Sequence, residues 1–296
     1  MNDILNKNIH KSVSEMARFC GDSDIFSKDK EGKLPSRDVV TEILKDLRKV
    51  VFPGYFGDET LDSYAHFAEK MLGSVSEKLC SQIKLVIGGG DADKRAEEIC
   101  TRFISALPEI QKLLEKDVRA MYDGDPAAHG TEEIISSYPG ILAIFVYRLA
   151  HVLYAEKVPM IPRMMTEYAH SRTGIDINAG ATIGEYFFID HGTGIVIGET
   201  TVIGDRVKLY QGVTLGALST RKGQGLSGVK RHPTIGNDVT VYSGASILGG
   251  ETVVGDGAII GGNAFITSSV PPRTKVIVKT PEHIFKTDAP EGNWEI

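Results

Sequence analysis

Residues 195–216 read IVIGETTVIGDRVKLYQGVTLG, and this stretch decides the fold. Aliphatic residues recur in it every six positions, and glycine often follows them. That period fits neither an α-helix nor an alternating strand. It is the hexapeptide pattern of a parallel β-helix, in which each hexad supplies one short strand and one corner. The pattern extends over residues 175–266, with its aliphatic positions at Ile177, Ile183, Ile189, Ile197, Ile203, Leu209, Leu215, Ile235, Val241 and, after a one-residue slip, Leu248, Val254, Ile260 and Ile266.

The composition limits the class of protein. A chain of 296 residues is long enough for two domains. The net charge of −6 provides no basic surface for nucleic acid or an anionic membrane. No apolar run approaches the roughly 18 residues of a membrane span, and the residues from Met1 onward lack the basic and apolar regions of a signal peptide. We therefore expect a cytoplasmic protein with neither nucleic-acid nor membrane partners.

The cysteines agree with that location. Cys20, Cys80 and Cys100 are odd in number and widely spaced. This usage is typical of reduced thiols and not of a disulfide framework or a zinc site. All of them precede the repeats, so we expect buried packing residues.

Residues 1–170 have helical periodicity, interrupted by a polar segment, Asp117–His129, that is predicted to be a loop. The predicted fold is α+β and multidomain. A helical domain over residues 1–170 would cap the open end of the β-helix and support oligomerisation, the β-helix would cover 171–275, and 276–296 would form a flexible tail. The predicted helices are Val39–Val50, Asp62–Ile87, Asp93–Asp117, Gly140–Ala155 and a short one after Pro162.

Two interruptions of the six-residue period indicate where function lies. Ile183 and Ile197 are 14 positions apart, two more than two hexads, and the extra pair falls within Asp190–Gly194. The residues from Ala217 to His232 show no hexad phase and predict a loop of about 14 residues at another corner. Loops on rigid scaffolds are a usual place for function.

The first interruption carries a histidine. Counting hexads places Asp176 at the same corner as His191, one coil earlier and about 5 Å away. An aspartate at that distance can accept a hydrogen bond from the imidazole and stabilise its protonated form, so the pair is a candidate catalytic dyad. The alternative is that both are ordinary turn residues.

The same corner continues upward as a column of mostly small residues, which leaves a groove for a long, thin ligand. Corners also favour glycine for their own geometry, so the groove alone decides nothing. His232 ends the loop at a different corner and cannot face His191 within one β-helix. Packing of neighbouring chains could bring the two together, and closed symmetry then suggests a trimer.

The sequence resembles the serine O-acetyltransferase family over roughly residues 110–275. The matching segments are Asp176-Ile177, DHGTGIVIGET at 190–200, QGVTLG at 211–216, Arg231-His232-Pro233 and Asp125-Pro126-Ala127. The resemblance implies a left-handed β-helix and transfer of acetyl from acetyl-CoA to the L-serine hydroxyl, giving O-acetyl-L-serine for cysteine biosynthesis. The loop Ala217–Lys230 is longer and more basic than is usual in the family.

The resemblance also implies residue roles. His191 is the expected general base, with Asp176 as its partner and His232 as a further catalytic group. The serine-binding set is expected to be Asp125, Asp190, Arg231 and His232. Acetyl-CoA is expected near Gly216, Ser243 and Gly262, with no metal.

The implied partners follow the same resemblance. Family members form a homotrimer or a dimer of trimers, and L-cysteine inhibits them at the serine site. Their C-terminal isoleucine, here Ile296, docks into O-acetylserine sulfhydrylase.

Three other functions stay open on the sequence alone. One is a hexapeptide acyltransferase acting on a sugar or another small alcohol. A second is a γ-type carbonic anhydrase, which needs three zinc-binding histidines, whereas the repeats contain only His191 and His232. A third is a non-catalytic scaffold, in which an intact Asp176–His191 pair would have no purpose.

A synthetic peptide of about the last ten residues should bind the sulfhydrylase in calorimetry, because a free carboxylate and an apolar terminal side chain are a known form of C-terminus capture. The peptide lacking Ile296 should not bind. Equal binding of both peptides, or no binding by either, would identify an ordinary frayed terminus.

Overall fold

The computed structural model describes residues 3–23, 25–26, 34–57 and 61–279. Within these residues, helices come first and short strands follow. The helices are α1 Asp3–Asp22, α2 Arg37–Val51, α3 Leu61–Ile87, α4 Ala92–Gly124, α5 Thr131–Ser137, α6 Pro139–Ala155 and α7 Ile161–Thr173. The strands are β1 Asp176–Ile177, β2 Thr182–Ile183, β3 Phe188–Asp190, β4 Val196–Ile197, β5 Val202–Ile203, β6 Lys208–Tyr210, β7 Thr214–Gly216, β8 Thr234–Ile235, β9 Thr240–Val241, β10 Ser246–Leu248, β11 Val253–Val254, β12 Ile259–Ile260, β13 Phe265–Ile266 and β14 Lys275–Val276.

The strands wind into three parallel sheets. Sheet A has the order β1-β4-β7-β10-β13, sheet B has β2-β5-β8-β11, and sheet C has β3-β6-β9-β12-β14. Up to β13, each strand pairs with the strand three positions earlier, as a triangular coil requires. β14 pairs with β12 because the bridge at Val270 takes the place of a strand between β13 and β14. The predicted fold class, helices followed by a left-handed parallel β-helix of hexapeptide repeats, is confirmed.

The inward column of sheet A corrects one detail of the predicted register. Ile247, and not Leu248, pairs with Leu215 and is fully buried. Leu248 pairs instead with Gly216 at the end of the strand. The one-residue slip therefore comes after Ile247, in the corner that contains Gly249.

The stack of strands continues past Pro271-Pro272. Val270 bridges to Val254, and β14 pairs with β12. The prolines occupy a corner, where no strand partner needs their missing N–H groups. The tail that was predicted to dock through Ile296 lies outside the described residues.

The helical part agrees with the sequence in most elements and differs in three. The predicted loop over Asp117–His129 is wrong at its start, because α4 continues to Gly124. Neither α1 nor α5 was predicted. Cys20 is exposed on α1, whereas Cys100 is buried as expected and Cys80 is half-buried.

Side chains from α4 and α6 cap the first coil. Tyr147 donates to the carbonyl of Ala181 (2.6 Å), and Nδ1 of His151 lies 2.8 Å from the carbonyl of Ala179. These carbonyls face the helices because no earlier coil exists to bind them. Capping satisfies backbone groups that an open sheet edge would leave unpaired.

The centre of this cap is a buried ion pair. Arg148 of α6 contacts both carboxylate oxygens of Asp117 at 2.7 and 2.8 Å, and their side chains are 4% and 0% exposed. Arg148 also donates to the carbonyl of Gly184 (2.9 Å), while Asp117 accepts from the backbone N–H of Phe187 (2.9 Å). Each charge is thus paired with its partner and with the first coil.

Among the described residues, no single helix is long and apolar enough to cross a membrane. The successive helices α5 and α6 reach the required length and hydropathy only together, with a 70° bend between them.

Asp117→Asn should lower the free energy of unfolding by about 3–5 kcal/mol, because it leaves the Arg148 guanidinium buried without a counter-charge. Chemical denaturation followed by circular dichroism measures the change. The exposed Glu115–Arg119 pair on the same helix is the matched control, and Arg119→Ala should cost less than about 1 kcal/mol. Similar losses in both variants would contradict a central role for the buried pair.

Candidate active site

The corner between β3 and β4 is unlike the other corners that lead from sheet C to sheet A. In the regular corners, Gly212 (φ 73°) and Gly244 (φ 71°) form a column of left-handed residues that begins at Gly194 (φ 83°). The two extra residues predicted from the sequence add His191 (φ 55°) and Gly192 (φ 90°) to this corner. Other corners of the stack also contain left-handed residues that are not glycine, such as Tyr186, Arg206 and Asp238, so the two added residues and not the φ of His191 set this corner apart.

Gly192 makes this conformation possible. A Cβ atom at this position would lie 2.5 Å from Cδ1 of Ile175. Any residue with a side chain would also be strained at this φ. The side chain of His191 points away from the core and is 76% exposed in the single chain. Within one chain the His191 imidazole is therefore open to solvent.

Two carboxylates lie beside His191. Nε2 of His191 is 3.8 Å from Oδ1 of Asp190, the last residue of β3. Burial raises the pKa of Asp190, and the nearby charge of Asp125 raises it further. The Tyr138 hydroxyl, which donates to Oδ2 of Asp125 at 2.6 Å, lowers the pKa of Asp125. The sequence-predicted residues Asp125, Asp190 and His191 are thus brought together.

Close packing of helices on β3 delivers Asp125 to this cluster. A Cβ atom on Gly124 would lie 2.6 Å from the ring of Phe188, and one on Gly140 would lie 2.9 Å from the carbonyl of Ile189. The end of α4 and the start of α6 therefore both lie directly against β3. Asp125 follows α4 immediately, so its position is fixed relative to Asp190.

Asp176 lies at the corner that hexad counting predicted, because its backbone N–H donates to the carbonyl of Ile195, and the N–H of Gly194 donates to the carbonyl of Gly174 one coil earlier. It begins β1 and is in register with Val196, five residues beyond His191. Its Oδ1 lies 3.2 Å from Nη1 of Arg163, and no hydrogen bond or ion pair joins Asp176 to His191 in the described part of the chain. A dyad of Asp176 with His191 therefore stays a prediction, and within the single chain the Asp176 side chain pairs with Arg163 of α7.

The corner between sheets A and B contains His232. The backbone N–H of Thr200 donates to Nδ1 of His232 (3.0 Å), and the Thr200 hydroxyl lies 2.9 Å from the same atom. Burial, followed by the charge of Arg231, lowers the pKa of His232 to about 4. Near neutral pH the ring is therefore uncharged, and because Nδ1 accepts a backbone N–H, Nε2 carries the hydrogen.

Gly198 allows His232 to occupy this position. A Cβ atom on Gly198 would lie 2.1 Å from Cδ2 of His232, so any other residue would displace the ring. With Nδ1 accepting from the Thr200 backbone, the neutral ring has its hydrogen on Nε2 as an available donor.

Arg231 is already engaged within the chain. Its Nη2 forms an ion pair with Glu199, and Nη1 donates to the carbonyls of Leu226 (3.1 Å) and Val229 (3.4 Å). Tyr154 of α6 donates to the other oxygen of Glu199 at 2.8 Å. The guanidinium thus fixes the end of the loop.

The predicted residues form two half-sites. His191 and His232 lie at corners on opposite ends of β4, as the loop position in the sequence indicated. The predicted acetyl-CoA residues are also divided between two corners of the coil. Gly216 ends β7, whereas Ser243 and Gly262 lie in corners that precede β10 and β13. A single corner groove containing all three is not formed within one chain.

Sequence reasoning missed several residues of these half-sites. Tyr210 is paired with Asp190 in register and stacks on Tyr242 with ring centroids 5.0 Å apart, which the hexad phase could have shown. Tyr138 and Tyr154 come from helices, and no local pattern reveals their contacts with the corners.

In the described part of the chain, a candidate ion site and a cavity lie outside the two half-sites. Among the described residues, one group of three potential metal ligands exists, Glu167, His170 and Asp176, with ligand atoms within 4.8 Å of one another. Arg163 forms ion pairs with both carboxylates, which already neutralises much of their charge. A cavity of about 750 Å³ between α2, α4 and α5 contains none of the predicted site residues.

Comparison with known sequences gives one recurrent family. No protein-family model matches the chain. A plasmid serine acetyltransferase of Synechococcus elongatus is 48% identical in an alignment over 231 residues that covers 72% of this chain and 72% of that relative. A Bacillus subtilis serine acetyltransferase is 45% identical over 136 residues, 46% of this chain and 60% of the relative.

Solved structures agree with the sequences. Serine acetyltransferase isoform 3 of Entamoeba histolytica, crystallised in complex with cysteine, is similar with a TM-score of 0.74 and 36% identity over 88% of each chain. A Neisseria gonorrhoeae serine acetyltransferase in complex with serine gives a TM-score of 0.55 and 28% identity, covering 82% of this chain and 95% of the other.

Nuclear magnetic resonance of isotope-labelled histidine should show His232 as the neutral Nε2–H tautomer from pH about 8 down to about 5. The folded state lowers its pKa below the ordinary value of about 6.5. The neutral ring therefore stabilises the folded state above pH about 6.5, and this stabilisation is lost as the pH falls towards about 4. His232→Gln assigns the signal. Titration of this signal near 6.5, or an Nδ1–H tautomer, would contradict the arrangement.

Proposed function

The chain belongs to the serine acetyltransferase family, and from that premise we propose that it transfers the acetyl group of acetyl-CoA to the hydroxyl of L-serine, giving O-acetyl-L-serine and CoA. The observation that supports this reaction best is the expanded corner at 190–194. There a left-handed His191 lies beside two carboxylates, Asp125 and Asp190, at the mouth of a column of small residues.

His191 is the proposed general base. The serine hydroxyl is a weak nucleophile until a base removes its proton during attack on the thioester carbon. The new C–O bond forms as the imidazole takes that proton. The C–S bond then breaks, and the CoA sulfur leaves as a thiol when the imidazolium returns the proton.

The other predicted residues bind serine from two sides. Asp125 and Asp190 provide negative charge for the serine ammonium group, and Arg231 provides positive charge for its carboxylate. His232 presents a fixed Nε2–H, which suits hydrogen bonding to the substrate carboxylate or to the oxyanion that forms on the thioester.

The two half-sites lie at different corners, so a complete site needs a neighbouring chain. We propose a trimer in which the His191 corner of one chain faces the Arg231–His232 corner of the next. Acetyl-CoA would lie between the chains, with Ser243 and Gly262 from one and Gly216 from the other. Pairing of trimers into a hexamer is a further proposal.

Other features are proposed from the family. L-cysteine, which differs from L-serine only in its thiol, would inhibit by occupying the serine site. The product would enter cysteine biosynthesis in the cytoplasm through O-acetylserine sulfhydrylase. A partnership of Asp176 with His191 stays a prediction, since in the single chain Asp176 contacts Arg163.

His191→Ala should lower kcat by roughly a hundredfold or more, the usual scale for loss of a general base. Thiol release from acetyl-CoA, with and without L-serine, measures the reaction. The exposed His10 on α1 gives the control variant His10→Ala, which should keep full activity. Substantial turnover by His191→Ala would place the base elsewhere.

A further inference from the structure

The loop that ends at Arg231 is fastened at one short segment, Glu199-Thr200. The Thr200 hydroxyl accepts from the backbone N–H groups of Arg231 (2.9 Å) and His232 (3.1 Å). Nζ of Lys230 donates to the Thr200 carbonyl at 2.6 Å. Thr200 therefore holds the backbone of this segment, which leaves the direction of the Arg231 side chain to be set by other groups.

Glu199 sets that direction. One of its carboxylate oxygens binds Nη2 of Arg231 and the other accepts from the Tyr154 hydroxyl at 2.8 Å. Hydrogen bonding to Arg231 lowers the pKa of Glu199, so the carboxylate stays ionised across the neutral range. Both oxygens are used, and the carboxylate cannot rotate without losing a partner.

The guanidinium keeps unused donors. Arg231 carries more N–H groups than its contacts with Glu199, Leu226 and Val229 require. It also borders a cavity of about 290 Å³, together with Ala217–Ser219 and Gly249–Thr252. A guanidinium held on one edge and open on another can bind a carboxylate with a fixed geometry.

Tyr154 connects this arrangement to the helical domain. It belongs to α6, whose earlier residues Tyr147 and Arg148 cap the first coil. Hydrogen bonds therefore connect Tyr154 of α6 to Glu199 and Glu199 to Arg231. The second of these bonds is charge-assisted.

We infer that Glu199, held by Tyr154, is a positioning residue that orients Arg231 for the carboxylate of the amino-acid substrate. This inference rests on the proposed function, because it assumes that Arg231 binds serine. Glu199 itself does not touch the substrate and acts only through Arg231.

A double-mutant cycle between Glu199→Ala and Arg231→Ala tests the inference. Each single change should raise the serine KM by about tenfold or more, the scale of one lost charge-assisted hydrogen bond, with kcat and the acetyl-CoA KM changed far less. The double variant should be no worse than Arg231→Ala alone, because Glu199 has no effect once its target is removed. Effects on the serine KM that multiply in the double variant would overturn the inference.

Conservative variants separate positioning from simple loss of structure. Glu199→Gln keeps an acceptor for Arg231 and a partner for Tyr154, so it should recover most of the serine affinity lost in Glu199→Ala. Tyr154→Phe should raise the serine KM by a few fold, the scale of one neutral hydrogen bond. Glu115, which forms an exposed ion pair with Arg119, and the exposed Tyr55 provide the matched controls Glu115→Gln and Tyr55→Phe, which should behave as wild type.

The outcomes distinguish this inference from the proposed function. Both single variants could change only the acetyl-CoA KM, with no further increase in the double variant. In that case Glu199 positions Arg231, but the assignment of Arg231 to serine is wrong. If Arg231→Ala raises the serine KM and Glu199→Ala does not, the assignment stands and the positioning role is wrong. Should Arg231→Ala fail to fold, Arg231→Lys takes its place in the double-mutant cycle, because lysine cannot reproduce the planar set of N–H donors of the guanidinium.

Discussion

A β-helix has an open first coil whose backbone groups lack a coil beneath them, and the rest of this structure depends on how that end is closed. Asp117 and Arg148 close it with charges that bind each other and the backbone at Gly184 and Phe187. The pair avoids the penalty of an isolated buried charge because both carboxylate oxygens of Asp117 and two guanidinium nitrogens of Arg148 have partners. The helices that carry these residues are thereby fixed to the first coil.

This closure has a direct effect on the active site. Asp117 and Asp125 stand near the end of the same stretch of chain, and α4 cannot move against β3 without breaking the buried pair. The distance between Asp125 and Asp190 is therefore set by the cap as much as by the corner itself. At the other end of β4, α6 supplies Tyr154 to Glu199. Both half-sites are thus held by helices that also close the coil.

The sequence predicted those parts of the structure that its six-residue period controls. The coil architecture, the expanded corner at His191 and the separate corner of His232 all follow from counting positions. Where two aliphatic residues are adjacent, as at Ile247 and Leu248, the period cannot decide which one faces inward. Counting placed Asp176 one coil below residues 194–196, but it could not show that the side chain pairs with Arg163 of the preceding helix. Contacts such as Tyr138 with Asp125, or Arg148 with Asp117, join distant segments through helix packing and leave no local signal.

The two extra residues between β3 and β4 lengthen one coil without disturbing the strands that follow. Each strand takes its alignment from the strand below it, at a spacing of about 4.8 Å that does not depend on how many residues a corner contains. The perimeter of a coil and the height of the stack are therefore independent of each other in this fold. A corner can gain or lose residues, and so change what it binds, while the stack above it keeps the same rise. The long excursion at 217–230 leaves the stack in the same way, and so the architecture can acquire new surface chemistry by insertion without having to re-form its core.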